Sequence, residues 1–151
     1  MRLAFALLVL LPVAIQAKKF FIPNLKANWH KAHEFCTSLD MNMVSVESQQ
    51  DHDDLVQFIK GTDKFSDATR FWIGASDLAE EGVYTWISNA KLMTFTNWAE
   101  GEPTNNDSEN CVEMIHNTYV KRIWTWNDID CRGYRAYFIC EERRGQNIAE
   151  F

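Results

Sequence analysis

Three short strings hold the side chains in this chain that could do chemistry: Gly101-Glu102-Pro103-Thr104-Asn105, Glu109-Asn110-Cys111-Val112 and Trp124-Thr125-Trp126-Asn127-Asp128. Each sets acidic or amide side chains beside an X-Pro bond, a cysteine or a tryptophan, so hard oxygen donors sit on backbone that a rigid scaffold can hold. A calcium ion takes about 6–8 oxygens from carboxylates, amide and backbone carbonyls and water. Glu102, Glu109, Asn127 and Asp128 can supply several of these together, and no soft donor lies among them.

Donors so far apart in sequence need elements to bring them together. Lys19-Phe20-Phe21-Ile22 reads as an opening strand. Asn28 is placed to cap a helix whose apolar residues Trp29, Ala32, Phe35, Cys36 and Leu39 recur at helical spacing. Ser48 with Asp51 three residues on starts a second helix, with Leu55, Phe58 and Ile59 facing inward and Gly61 at the stop. Short strands follow at Phe71-Trp72-Ile73, Val112-Glu113-Met114-Ile115, Trp124-Thr125-Trp126 and Tyr137-Phe138-Ile139. Two helices followed by several strands predict an α+β domain. The stretch from Ala75 to Cys111 lacks periodicity, and long irregular segments are commonly functional; Trp86 and Trp98 argue that this one is packed. Trp124 and Trp126, two apart on a strand, are expected in the core, holding Asn127-Asp128 from behind. The tail Glu141-Glu142-Arg143-Arg144-Gly145-Gln146-Asn147 is polar and expected to fray.

Met1-Arg2 precedes an apolar run from Leu3 to Ala14, and Ala17 offers a small residue at its end. Residues 1–17 therefore read as a signal peptide, too short for a membrane anchor, which takes about 20 apolar residues. Residues 18–151 are the size of one secreted, extracellular domain. A net charge of −6 argues against nucleic acid and anionic membrane, which attract clustered Lys and Arg. Cys36, Cys111, Cys131 and Cys140 make an even set, so two disulfides are expected, with three connectivities open from spacing alone. No Cys-x-x-Cys pair supports a structural zinc site.

In order and spacing the three strings resemble the C-type lectin domain, and the resemblance covers nearly the whole chain after the leader. Trp72-Ile73-Gly74 is similar to that family's core strand, and Asn97-Trp98 before Gly101-Glu102-Pro103 is similar to the entry to its ligand loop. The resemblance implies a fold of two helices, short antiparallel sheets and a long ligand loop, with disulfides Cys36–Cys140 and Cys111–Cys131. It implies calcium held by Glu102, Glu109, Asn127 and Asp128, a cis bond before Pro103, and glycans or glycoproteins as partners. Two neighbouring sugar hydroxyls then replace water on the ion, donating to carboxylates and accepting from amides through short directional bonds. In the family Glu-Pro-Asn goes with mannose-type binding and Gln-Pro-Asp with galactose-type. Here the motif is Glu102-Pro103-Thr104, so Thr104 stands at the amide's place, with Asn105 as the substitute if it shifts in. A threonine hydroxyl donates and accepts but is shorter than an amide. Glu102 keeps the acceptor of the mannose type, and the small secreted invertebrate members suggest immune or other glycan recognition.

The remaining polar residues suggest less. Asp77 and Glu81 match positions of an auxiliary calcium site, though Asn105 and Asn110 stand where carboxylates would strengthen it. His30 and His33 do not form a His-Glu-x-x-His motif, His52 sits at an acidic helix start, and no nucleophile elbow appears. The chain is therefore expected not to be an enzyme. A calcium-independent protein-binding module of the same fold is the competing function, and a homo-oligomer is compatible with either. Asn106-Asp107-Ser108 is a glycosylation sequon between Glu102 and Glu109.

Overall fold

The computed structural model describes residues 18–104 and 106–143. The leader, Asn105 and the tail from residue 144 lie outside the described residues. The order of elements is β1 (Phe20–Phe21), α1 (Trp29–Ser38), β2 (Met41–Met43), α2 (Gln49–Lys60), β3 (Ala68–Ser76), β4 (Thr85–Trp86), β5 (Cys111–Asn117), β6 (Arg122–Ile129), β7 (Tyr137–Phe138) and β8 (Cys140–Glu142). The α+β expectation and both helices stand.

Each helix begins at the side chain expected. Asn28 accepts from the Lys31 amide and Ser48 from the Asp51 amide, each at a residue with extended backbone. These caps satisfy amides that have no partner within the helix. Trp29, Ala32 and Cys36 bury one face of α1, and Leu55 and Ile59 that of α2, while Leu39 is left exposed just past the end of α1.

The strands form two sheets. A small one runs β1-β8-β2, joining the two ends of the described chain. The larger runs β4-β3-β5-β6, with β7 pairing parallel to β3. Phe71, Ile73 and Ala75 of β3 face a core shared with Leu55, Ile59, Trp86, Met114 and Trp126. Trp72 between them faces the other side, with Trp29, Cys36 and Phe138, as the twofold period of a strand requires. Burying one such side chain contributes about 1.5–3 kcal/mol. Gly74 is needed where β3 approaches β2: a Cβ there would lie 2.9 Å from the Met43 carbonyl oxygen. Trp29 donates to the Ile73 carbonyl and Trp72 to that of Ala27, so buried indoles tie the start of α1 to β3.

The disulfides are Cys36–Cys140 and Cys111–Cys131, as the resemblance implied. They close loops of 104 and 20 residues, for which chain entropy gives about 4.7 and 3 kcal/mol. The first fastens α1 to β8; the second fastens the start of β5 to the chain just after β6.

Two expectations need correction. Glu141 and Glu142 are not a frayed tail but belong to β8, and Glu141 is buried against Lys18 and Ser45. The reason is a counter-charge far away in sequence, which composition cannot reveal. Trp124 and Trp126 are both buried but do not share a regular strand face. The pairing of β5 with β6 slips between Ile115 and His116, and Trp124 is the extra residue, at φ 58°. It packs on His116 and Phe65, whereas Trp126 packs on Trp86, Phe95 and Trp98.

Candidate functional site

β6 is an outer strand of the large sheet, and the irregular loop after β4 closes on it. The Trp126 amide donates to the Asn97 carbonyl and the Ala99 amide to the Trp126 carbonyl, while the Asn97 side chain donates to the Trp124 carbonyl at 2.8 Å. These bonds satisfy an edge that would otherwise be open to pairing. They also fix where the next residues fall. The chain turns at Gly101, φ 81°, and the Glu102–Pro103 bond is cis, as expected.

The register of β5 with β6 sets Val112 opposite Asp128 and Glu113 opposite Asn127. Consecutive strand residues point to opposite faces, so Asn127 and Asp128 diverge. Asp128 accepts from the Thr104 amide at 3.0 Å and from the Tyr84 hydroxyl at 3.1 Å. Thr104 Oγ1 in turn donates to Glu109 Oε2 at 2.7 Å. Asn127 Nδ2 donates to Glu113 Oε1 at 3.2 Å, and Glu113 also takes a bond from Arg70 at 3.0 Å. With Nδ2 so engaged, Asn127 Oδ1 faces Arg122, whose Nη1 donates to it at 3.2 Å. Arg122 Nη2 donates to Glu102 Oε1 at 3.0 Å.

All five expected donors within the described residues thus lie along one edge, in two linked groups. Glu102 and Asn127 share a guanidinium; Thr104, Glu109 and Asp128 share hydrogen bonds. Burial pushes the Glu102 carboxyl up; Arg122 opposes this, and the neighbouring Asp128 carboxylate adds to it. Glu102 Oε2 is buried with no protein partner. A like-charged carboxylate beside an unpartnered acceptor, with amide and hydroxyl oxygens near, fits a hard divalent cation. Among the described residues no three Asp, Glu, His or Cys side chains converge into a ready-made cluster, since Glu102 turns to Arg122 and Glu109 to Thr104. Asn127 and Asp128 are also buried rather than surface residues, so truncating either disturbs packing as well as the site.

Three participants escaped the sequence reading. Glu113, fully buried with its pKa pushed up to about 7 by burial, had a visible signal: an acid in the middle of an apolar strand. Tyr84 and Arg122 had none, because their partners are set by the loop path and the hairpin register. At the auxiliary position Asn110 Nδ2 donates to Asp77 Oδ1 at 3.2 Å and Glu81 Oε2 at 3.3 Å. Burial and the Asp77 and Asp107 carboxylates raise Glu81. His30 and His33 instead pack on the Trp29 ring.

Residues 25–142 match the family described as Lectin C-type domain. Over its whole length the chain is 76% identical to a protein named C-type lectin mosGCTL-7 from Aedes aegypti, covering 99% of that relative. It is 35% identical over 149 residues to Salivary C-type lectin 2 of Aedes albopictus, covering 94% of this chain and 97% of that one. Among solved structures, a complex of SPL-1 with GlcNAc superposes with a TM-score of 0.69 at 27% identity, covering 82% of this chain and 86% of that one. Fold, disulfides and these likenesses agree: the chain belongs to the C-type lectin family.

Proposed function

We propose that this chain is a secreted, calcium-dependent carbohydrate-binding protein that recognises glycans without making or breaking bonds. The observation that carries the reading is that Glu102 and Asn127 in one group, and Thr104, Glu109 and Asp128 in another, lie along the edge where the loop closes over β6. A bound calcium would supply a Lewis-acidic contact for two vicinal sugar hydroxyls. The chain's own residues do the selecting. Glu102 and Glu109 accept hydroxyl protons, Asn127 is held with its amide turned by Glu113, and Thr104, with its proton on Glu109, offers only a short oxygen where an amide would donate. The retained Glu102 leans the specificity to mannose-type sugars, and the Thr104 geometry predicts modest affinity. The GlcNAc complex of the structural neighbour SPL-1 supports the sugar class. Residues 1–17 act in this reading as a cleaved leader, two relatives being named salivary lectins, and no described helix is long and apolar enough to cross a membrane.

The test is retention of the protein on mannose, GlcNAc, galactose and uncoupled resins, in calcium and in chelator. Retention on mannose or GlcNAc resin, released by chelator and lost in Glu109→Gln, is expected. Glu109 is partly exposed, so this variant should change stability by about 0.5 kcal/mol or less. No retention on any sugar would instead favour the calcium-independent protein-binding module, and chelator-resistant retention on a sugar resin would overturn the calcium dependence alone. The guanidinium already seated between Glu102 and Asn127 gives that second reading its support.

A further inference from the structure

Arg122 is in direct contact with two of the expected ligands, Glu102 and Asn127, and its geometry resembles that of an occupant. It opens β6, and one edge of its guanidinium bridges Glu102 Oε1 from the loop and Asn127 Oδ1 from its own strand, at 3.0 and 3.2 Å. A guanidinium has five donors and no acceptor, so it can occupy these oxygens but cannot join a metal's coordination shell. Two cations on the same oxygens also repel. The Glu102 side chain is 9% exposed and Arg122 33% exposed, so the acid is fixed in the wall while the base reaches it from the solvent side on a long stem. Glu113 turns the Asn127 amide oxygen toward the guanidinium, and Arg70 on the far side of Glu113 keeps that acid paired when Arg122 leaves.

Resting on the calcium reading of Glu102 and Asn127, we infer that Arg122 is a built-in counter-cation that closes the site in the metal-free protein and must swing to solvent before a divalent cation binds. It neutralises the Glu102 carboxylate there and thereby sets the calcium threshold for glycan binding. Arg122 is a positioning and affinity-setting residue; it touches no sugar in this scheme.

Calcium titration of the metal-free protein by isothermal calorimetry at 0.15 M salt, with thermal unfolding at each calcium level, tests this in the parent, Arg122→Gln and Arg122→Lys. Arg122→Gln should bind calcium about tenfold more tightly, the scale of one charge-assisted contact no longer displaced. Its metal-free form should melt lower, and its gain in melting temperature on saturation should be larger. Lysine offers a compact point charge instead of a fork, so Arg122→Lys should fall between the two, and it carries the test if the glutamine variant does not fold. Equal or weaker affinity in both variants, with calcium bound by the parent, overturns the counter-cation and leaves the lectin reading standing. Binding in the variants but not the parent sustains the counter-cation and overturns calcium dependence for the parent. No binding in any of the three overturns both.

Discussion

Lys18 and Arg122 each lie between two acceptors brought from distant parts of the chain, but the walls around them differ. Lys18 Nζ sits 3.2 Å from Asp51 on α2 and 3.2 Å from Glu141 on β8, and donates to the Ser45 carbonyl at 2.6 Å. Its side chain is 9% exposed, and β8 is fastened to α1 by Cys36–Cys140. Arg122 is 33% exposed and reaches Glu102 on a loop held to the sheet by hydrogen bonds. The same pairing of charges therefore has two uses. Closed in on all sides, a cation completes the packing, and losing a partner leaves a charge stranded out of water. Left open on one side, it can be exchanged for another cation at little cost.

The largest effect expected from this contrast is on stability. Glu141→Ala leaves Lys18 with Asp51 and the Ser45 carbonyl, and removes the Glu141 oxygen that accepts from both the Ser45 amide and hydroxyl. It should cost about 3 kcal/mol in urea unfolding, the range for breaking a buried pair. The calcium response should be unchanged. Arg122→Gln should cost the metal-free protein only about 1 kcal/mol. If the two losses are equal, exposure is not what separates the regions and the comparison fails.

How much of this could be read in the sequence follows the same division. The helices were legible because their signals are local: Asn28, Ser48 and Gly61 at the ends and a 3.6-residue apolar period between. That Glu102, Glu109, Asn127 and Asp128 lie along one edge was legible because they sit in short strings with family spacing. The strands β2, β4 and β8 were not: they are two or three residues long, and they lack the aromatic runs that marked the equally short β1 and β7. Both cations escaped too. Nothing near Lys18 in sequence announces Glu141, and nothing near Arg122 announces Glu102; strand register and loop path create those pairs.

A smaller effect tests whether the two regions are coupled. His52 follows Asp51 on α2, is buried, and its ring lies 6.3–6.4 Å from those of Phe95 and Trp126, the residue before Asn127. Burial lowers its pKa, with Asp53 opposing, and Nδ1 has no partner. Below its ordinary pKa near 6.5 the unfolded chain binds a proton that the fold resists, so this group's contribution to stability falls as pH falls. His52→Leu should therefore make the loss of melting temperature between pH 7 and 5.5 shallower. If the parent's calcium affinity at pH 5.5 also drops more than the variant's, protonation of His52 is felt through Trp126 at the site. An unchanged slope in His52→Leu would show that groups other than His52 set the acid response.

The smallest effect is expected at the sequon. Asn106 is exposed, and its Oδ1 accepts from the Ser108 amide at 3.2 Å and the Ser108 hydroxyl at 2.9 Å, while the Glu109 amide donates to the Asn106 carbonyl at 2.7 Å. The side chain thus shapes the turn that delivers Glu109, and an attached glycan would leave from the solvent side. Two variants separate these roles, since both abolish the sequon but only one removes the turn's acceptor. Ser108→Ala keeps the bond from the backbone amide, whereas Asn106→Gln moves the amide oxygen one methylene out of reach of it. Made in a glycosylating secretory host, with occupancy of the parent checked by mass spectrometry, Ser108→Ala should match the parent within about twofold in resin affinity. Asn106→Gln should lose slightly more, about 0.5 kcal/mol, through the loosened approach of Glu109. Tighter binding in Ser108→Ala than in a fully glycosylated parent would mean that the glycan shields the loop edge, and that its direction is set by more than the exposure of Asn106.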